Sequence, residues 1–409
     1  MNDITIVREL AKQYLDICSD QVYQERRALW TRKNSLQKTR PLIIASFGMW
    51  NVWCQEVFGD HAMQCSDPFY REQERFFKMK LFQHEIGDDQ LLDPWITLRA
   101  SLTTPGWDNL WGVHTGTTEK EFGGSWQYDP PLKNWDDMAK LKLPHHGIDE
   151  EATRQNINKL QDALGDIITI NIDRGPACLA FMSDISTMLC KLRGLEQVMI
   201  DMYESPEELH QLLAFMRDGI LTNHNEAEAA GDFSLTDSSS QEPFYCDDME
   251  ILKPNSGTRK INELWGFAAA QEFTLISPDM HDEFMLQYQM PIYRRFKHTS
   301  YGCCENLTNK IDILRQLPNL RVIAVAPTAD VGKCAEQIKD DYVFSWRPNP
   351  TDMVCCGWNE SAIKKTISEG CEAAKDCHLV IHLKDIETVE GDPTRLRRWV
   401  ELVRSVTNG

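Results

Sequence analysis

Tyr301, Cys303 and Glu305 close an extended run that begins near Arg294, with Gly302 and a second thiol, Cys304, between them. Side chains alternate along a strand, so these three would share one face while His298 and Cys304 take the other. Cys303 and Glu305 could then both reach a metal ion just beyond the strand end, and a thiolate with a carboxylate suits zinc. The alternative at these residues is a buried structural cysteine pair and a solvated carboxylate. A second candidate is Asp173-Arg174, which ends an apolar run from Asp166 and precedes Gly175-Pro176. An acid and a base at a strand-to-loop junction suit catalysis or substrate binding on a parallel barrel, and equally a local ion pair. Trp50 and Trp53 follow the run Pro41–Ser46 and could floor a pocket for a flat or apolar ligand.

These residues need a scaffold. Apolar runs starting near 41, 95, 166, 232, 294, 320, 341 and 378 alternate with helical patterns, which is the arithmetic of an α/β fold of the (β/α)8 TIM-barrel type. Residues 1–40 read as a helical N-terminal extension, with Ile6, Leu10 and Tyr14 at helical spacing, and 41–409 as the barrel. From 103 to 150 the pattern dissolves into Gly, Pro, Trp and Asp, as in a long lid-like insertion. Ser205-Pro206 with Glu208 predicts a helix start closed by a capping box.

The chain of 409 residues carries a formal net charge of −19 and 42% hydrophobic residues. That balance predicts neither a nucleic acid nor an anionic membrane as main partner, since both reward clustered Lys and Arg. A small-molecule substrate fits better, and a homo-oligomer is allowed. The amino end lacks the basic-then-apolar layout of a secretory signal, no apolar run approaches about 18 residues, and thirteen cysteines read as reduced thiols. Together these predict a cytoplasmic protein. No Gly-x-Gly-x-x-Gly or Walker A sequence follows any strand, so nucleotide binding loses its usual marker.

Four segments, in order, resemble the uroporphyrinogen decarboxylase superfamily: Arg193 to His210, Ile276 to Phe284, Tyr301 to Glu305, and Ser345 to Pro350. The resemblance spans most of 28–405 and implies a (β/α)8 barrel. The porphyrin decarboxylases of that superfamily carry an Arg-x-x-Gly-Arg element near the amino end, where this chain has Ala28 to Asn34 without it. The chain is more similar to the corrinoid-linked methyltransferases, in which zinc on a His-x-Cys motif and a later Cys activates a thiol substrate. Here the motif reads Tyr301-Gly302-Cys303, and the terminal segment offers His382 but no cysteine. The resemblance therefore implies either a metal held by Cys303, Glu305 and His382, or a metal-free pocket polarised by Tyr301, Cys303 and Glu305. It implies methyl transfer between a small methylated compound or acceptor and a corrinoid on a partner protein, because the chain lacks Asp-x-His-x-x-Gly of its own. Glu305, Tyr301 and Asp173 are the catalytic candidates, and Arg174, Asp237, Arg347, Trp50 and Lys384 the substrate-binding ones. The alternatives are a metal-independent decarboxylase and a non-catalytic tetrapyrrole or corrinoid carrier.

Overall fold

Strands buried on both faces read as unbroken apolar runs, and the sheet is made of such runs. In the computed structural model, residues 2–46, 55–117, 127–235 and 241–407 are described. Eight short strands pair only in parallel: β1 (Leu42–Ala45), β2 (Trp95–Arg99), β3 (Thr169–Asp173), β4 (Trp265–Ala268), β5 (His298–Tyr301), β6 (Leu320–Val325), β7 (Val343–Trp346) and β8 (His378–Leu383). Six of them form one sheet in the order β1-β8-β7-β6-β5-β4, and β2 pairs with β3. The first strand thus lies against the last, as in a TIM-barrel-like fold, with the register Leu42 to Val380 and Ala45 to Leu383.

The two arcs stay separate ladders because side chains take the hydrogen bonds along their facing edges. On β1, Ile43 N donates to Asp89 Oδ2 at 2.8 Å and Ala45 N to Asp88 Oδ2 at 2.8 Å. On β3, Asn255 accepts from Ile172 N at 3.1 Å and donates to Ile170 O at 2.9 Å. Buried backbone groups must be paired, and these residues supply partners where no strand does.

Two departures from the sequence reading stand out. The run from Asp232 is no strand over its described residues, 232–235, and the fourth strand is Trp265–Ala268 instead. Ser205 does sit at the N-cap of the helix Pro206–Ala230, but its side chain makes no capping bond. The amino end folds as two helices, Asp3–Cys18 and Val22–Asn34. The first packs Ile6, Val7, Ala11 and Tyr14 onto Phe77, Ile96 and Leu160, an apolar cluster beside β2 and β3. Within 103–150 the described residues hold two 3-10 helices, Trp107–Asn109 and Trp135–Lys140, and one antiparallel pair, Gly116–Thr117 with Tyr128–Asp129, before the helix that starts at Glu150. No described helix is long and apolar enough to cross a membrane.

Candidate active site at the strand ends

β5 stops at Tyr301. Gly302 turns the chain at φ +106°, a conformation that strains any side chain, and a Cβ there would meet Leu307 Cδ1 at 2.9 Å. Alternation ends with the strand, so the expected shared face of Tyr301, Cys303 and Glu305 does not form. Tyr301 faces the helical segments that follow β4, where its hydroxyl donates to Gln289 Oε1 at 2.8 Å and meets His281 Nε2 at 2.8 Å. Glu305 is buried and ties two strand ends together, accepting from Ala270 N at 2.8 Å and Cys303 N at 2.7 Å. Burial, and then the charge of Cys303, raise its pKa.

Cys303 points into a polar cluster built from the carboxyl ends of β1, β5, β7 and β8. Its Sγ lies 3.5 Å from Cys304 Sγ and accepts from Lys384 Nζ at 3.2 Å and Gln241 Nε2 at 3.4 Å. Arg347 Nη1 donates to the Cys303 carbonyl at 2.6 Å. The hydrogen bond from Cys304 and the charges of Lys384 and Arg347 overcome burial and hold the Cys303 thiol well below its usual pKa. Cys303 is therefore the sulfur that favours the thiolate form, and Cys304, raised by the same contact, the one that favours the thiol. His382 is fully buried beside them, with Nε2 2.6 Å from Ser46 Oγ and Nδ1 3.2 Å from Glu242 Oε1. Burial lowers the pKa of His382; Glu242, although burial opposes it, stays ionised through His382, Arg347 and Ser345. Arg347 Nε and Gln241 Oε1 have no hydrogen-bond partner among the described residues.

Next to this cluster lies a carboxyl pair that the sequence did not flag. Asp184 caps the helix Ile185–Arg193, and Glu272 follows β4. Ser186 Oγ is 2.7 Å from Asp184 Oδ1 and 2.7 Å from Glu272 Oε2. Thr187 Oγ1 is 3.0 Å from Asp184 Oδ2 and 2.7 Å from Glu272 Oε1, and accepts from Gln271 Nε2 at 3.2 Å. Each hydroxyl carries one proton, so the two hydroxyls cannot donate all four contacts. A proton shared between the two carboxyls would satisfy one more of these contacts. Electrostatics agree, since burial raises both acids and each also feels negative charge nearby, Asp184 from Glu272 and Glu272 from Cys303. Cys303 packs with Phe267, Ala269, Ala180 and Phe181, which brings the Asp184 loop to the thiolate.

A group whose folded pKa is raised contributes stability that is complete below the unfolded value, about pH 4 for a carboxyl, and is lost as pH rises through the folded value. Glu272→Gln removes that loss. The melting temperature of the variant relative to the wild type is expected to climb as pH rises from about 4 toward neutrality, and parallel melting curves across that range would contradict the shared proton.

The other candidates are dispersed. Asp173 is buried and paired with Arg99 at 2.6 Å across the ends of β2 and β3. Arg174 is bound at 2.6 Å to both Asp232 and Glu150, away from Cys303. Trp50 and Asp237 lie outside the described residues. Cys303, Glu305 and His382 do not fit a zinc ion in this geometry. Both carboxylate oxygens and both ring nitrogens are engaged, an ammonium group sits on the sulfur, and the three do not bring ligand atoms within 4.8 Å of one another. Among the described residues that spacing occurs in Cys246, Asp248 and His298, at the opposite end of β5. There Lys297 Nζ lies 3.2 Å from Asp248, and Arg321 Nη1 lies 3.8 Å from Cys246 Sγ.

The fold is shared with a solved structure, a methyltransferase from Methanosarcina mazei, which aligns over 93% of this chain and 98% of its own with a TM-score of 0.51 and 14% sequence identity. That likeness is one of fold. No protein-family model and no curated protein matches the sequence.

Proposed function

We propose that the chain is a methyltransferase of the uroporphyrinogen decarboxylase superfamily, with a closed (β/α)8 barrel, that moves a methyl group between a small methylated compound and a corrinoid carried by a partner protein. The observation that carries this reading is the buried Asp184–Glu272 carboxyl pair, bridged by Ser186, beside the Cys303–Lys384 contact at the strand ends. Cleaving the O–, N– or S–methyl bond of a neutral compound is eased by a proton on the departing atom. Glu272, half-buried beside the fully buried Asp184, donates it. Lys384 and Arg347 orient an anionic group on the substrate. The Cys303 thiolate favours the partial positive charge that the methyl group gains in transfer.

His382 has both nitrogens engaged, by Ser46 and Glu242, so it would position those groups rather than hold a corrinoid, which would be carried by a partner. When bound, the corrinoid supplies the cobalt that exchanges the methyl group. The test is anaerobic mixing of the protein with reduced free cobalamin and a panel of O-, N- and S-methyl compounds. At least one compound is expected to change the cobalt absorption spectrum, with Glu272→Gln slower by about 10²–10⁴-fold. No change across the panel overturns the reading.

A second reading, decarboxylation, is favoured by the same two cations, which suit a substrate carboxylate, and by a proton ready for the carbanion left behind. Release of carbon dioxide with an unchanged cobalt spectrum selects it.

A further inference from the structure

Cys303 and Lys384 also belong to a closed ring of four side chains, completed by Cys304 and Asp385, to which the proposed methyl transfer gives no role as a ring. Lys384 Nζ donates to Cys303 Sγ at 3.2 Å, Cys303 Sγ lies 3.5 Å from Cys304 Sγ, Cys304 Sγ lies 3.7 Å from Asp385 Oδ2, and Asp385 Oδ1 returns to Lys384 Nζ at 3.3 Å. One thiol faces a cation and the other a carboxylate. Asp385 holds its place at φ 58°, a left-handed conformation uncommon outside glycine, and such backbone outliers gather at working sites. Cys304 is exposed, so solvent reaches the pair from that side.

We propose that Cys303 and Cys304 form a peroxide-sensitive dithiol, with Cys303 the thiol that is oxidised and Cys304 the thiol that resolves it. Hydrogen peroxide is the oxidant. The Cys303 sulfur attacks one peroxide oxygen; an S–O bond forms, the O–O bond breaks, and the departing hydroxide takes a proton from Lys384 or solvent to leave as water. Cys303 is then a sulfenic acid. Asp385 accepts the Cys304 proton, the Cys304 sulfur attacks Cys303, and an S–S bond replaces the S–O bond as a second water leaves. Both thiols are oxidised together by two electrons, and the peroxide is reduced to water.

Neighbouring residues constrain the product. Consecutive Cα atoms lie about 3.8 Å apart across a trans peptide, shorter than the usual disulfide range of about 4.4–6.8 Å. The bond is strained, and strained disulfides are the readily reduced ones. The modification is therefore reversible by glutathione, and it removes the thiolate while it lasts. It does not rest on the methyltransferase reading, since the ring alone carries it.

The test is peptide mapping of the anaerobically purified full chain after exposure to hydrogen peroxide. The wild type is expected to lose two hydrogens in a bond between Cys303 and Cys304 that glutathione reverses. In Cys304→Ser the sulfenic acid persists on Cys303 and is trapped by a cyclic 1,3-diketone. In Cys303→Ser, Cys304 is expected to oxidise at least about tenfold more slowly than Cys303 does in the wild type, since thiolate content sets the rate. Oxidation confined to other cysteines, or equal rates at Cys304 in Cys303→Ser and at Cys303 in the wild type, overturns the proposal. The wild-type map decides alone if a variant fails to fold.

Discussion

Asp201→Ala is expected to cost the fold about 3–5 kcal/mol, because it strands a buried arginine. Asp201 and Arg193 are both buried, and the carboxylate accepts from Arg193 Nε at 2.7 Å and Nη2 at 3.2 Å. Arg193 also donates to the carbonyls of Leu132 and Lys133 at 3.0 Å each, and its guanidinium lies 4.3 Å from the centroid of the Trp135 ring. It thus fastens the insertion to the helix Leu195–Glu204. Removing the carboxylate leaves a charge that cannot return to water, whereas Arg193→Met combined with Asp201→Leu removes both charges. Urea unfolding is expected to show a large fall in midpoint for the single variant and a much smaller one for the double variant, with little change in slope. Equal losses would mean that shape, not charge, holds this contact.

Lys384→Met is expected to return Cys303 toward an ordinary thiol. Lys384 and Arg347 are the cations that favour the thiolate, and Lys384 is itself buried. An opposite charge at such range is worth about one to three pH units, so the ultraviolet absorbance of the Cys303 thiolate moves upward in pH by about that amount in the variant. The sign for stability follows. A depressed thiol pKa stabilises the native state above the unfolded value, and that contribution is lost as pH falls through the folded value. The variant has less of this contribution to lose, so its stability relative to the wild type rises as pH falls through the folded value. An unchanged titration would mean that Cys304 alone sets the ionisation.

The strands were legible because most are apolar runs with clear ends. Ile43-Ile44 and Leu379 to Leu383 are examples, each buried on both faces. The fourth strand was not, since Trp265-Gly-Phe-Ala268 is four residues long, while Asp232-Phe-Ser-Leu235 alternates as a strand would. At the site, Cys303, expected as a metal ligand, and Arg347 and Lys384, expected to bind substrate, lie together at strand ends. Tyr301 misled because period-two reasoning holds only inside a strand, and β5 ends there. Asp184 caps a helix and Glu272 follows a strand, places that carry no local mark of a site. Their pairing arises only when two loops converge on Ser186 and Thr187, a tertiary event without a local sequence signature.

Infrared spectroscopy of the Asp184–Glu272 pair tests the proton-bearing site most directly. The wild type at neutral pH is expected to show the carbonyl stretch of a protonated carboxylic acid that disappears in the Asp184→Asn, Glu272→Gln double variant. Identical spectra for the two proteins, with both acids absorbing as carboxylates in the wild type, would contradict a proton held beside Cys303 and remove the donor on which the proposed methyl transfer depends.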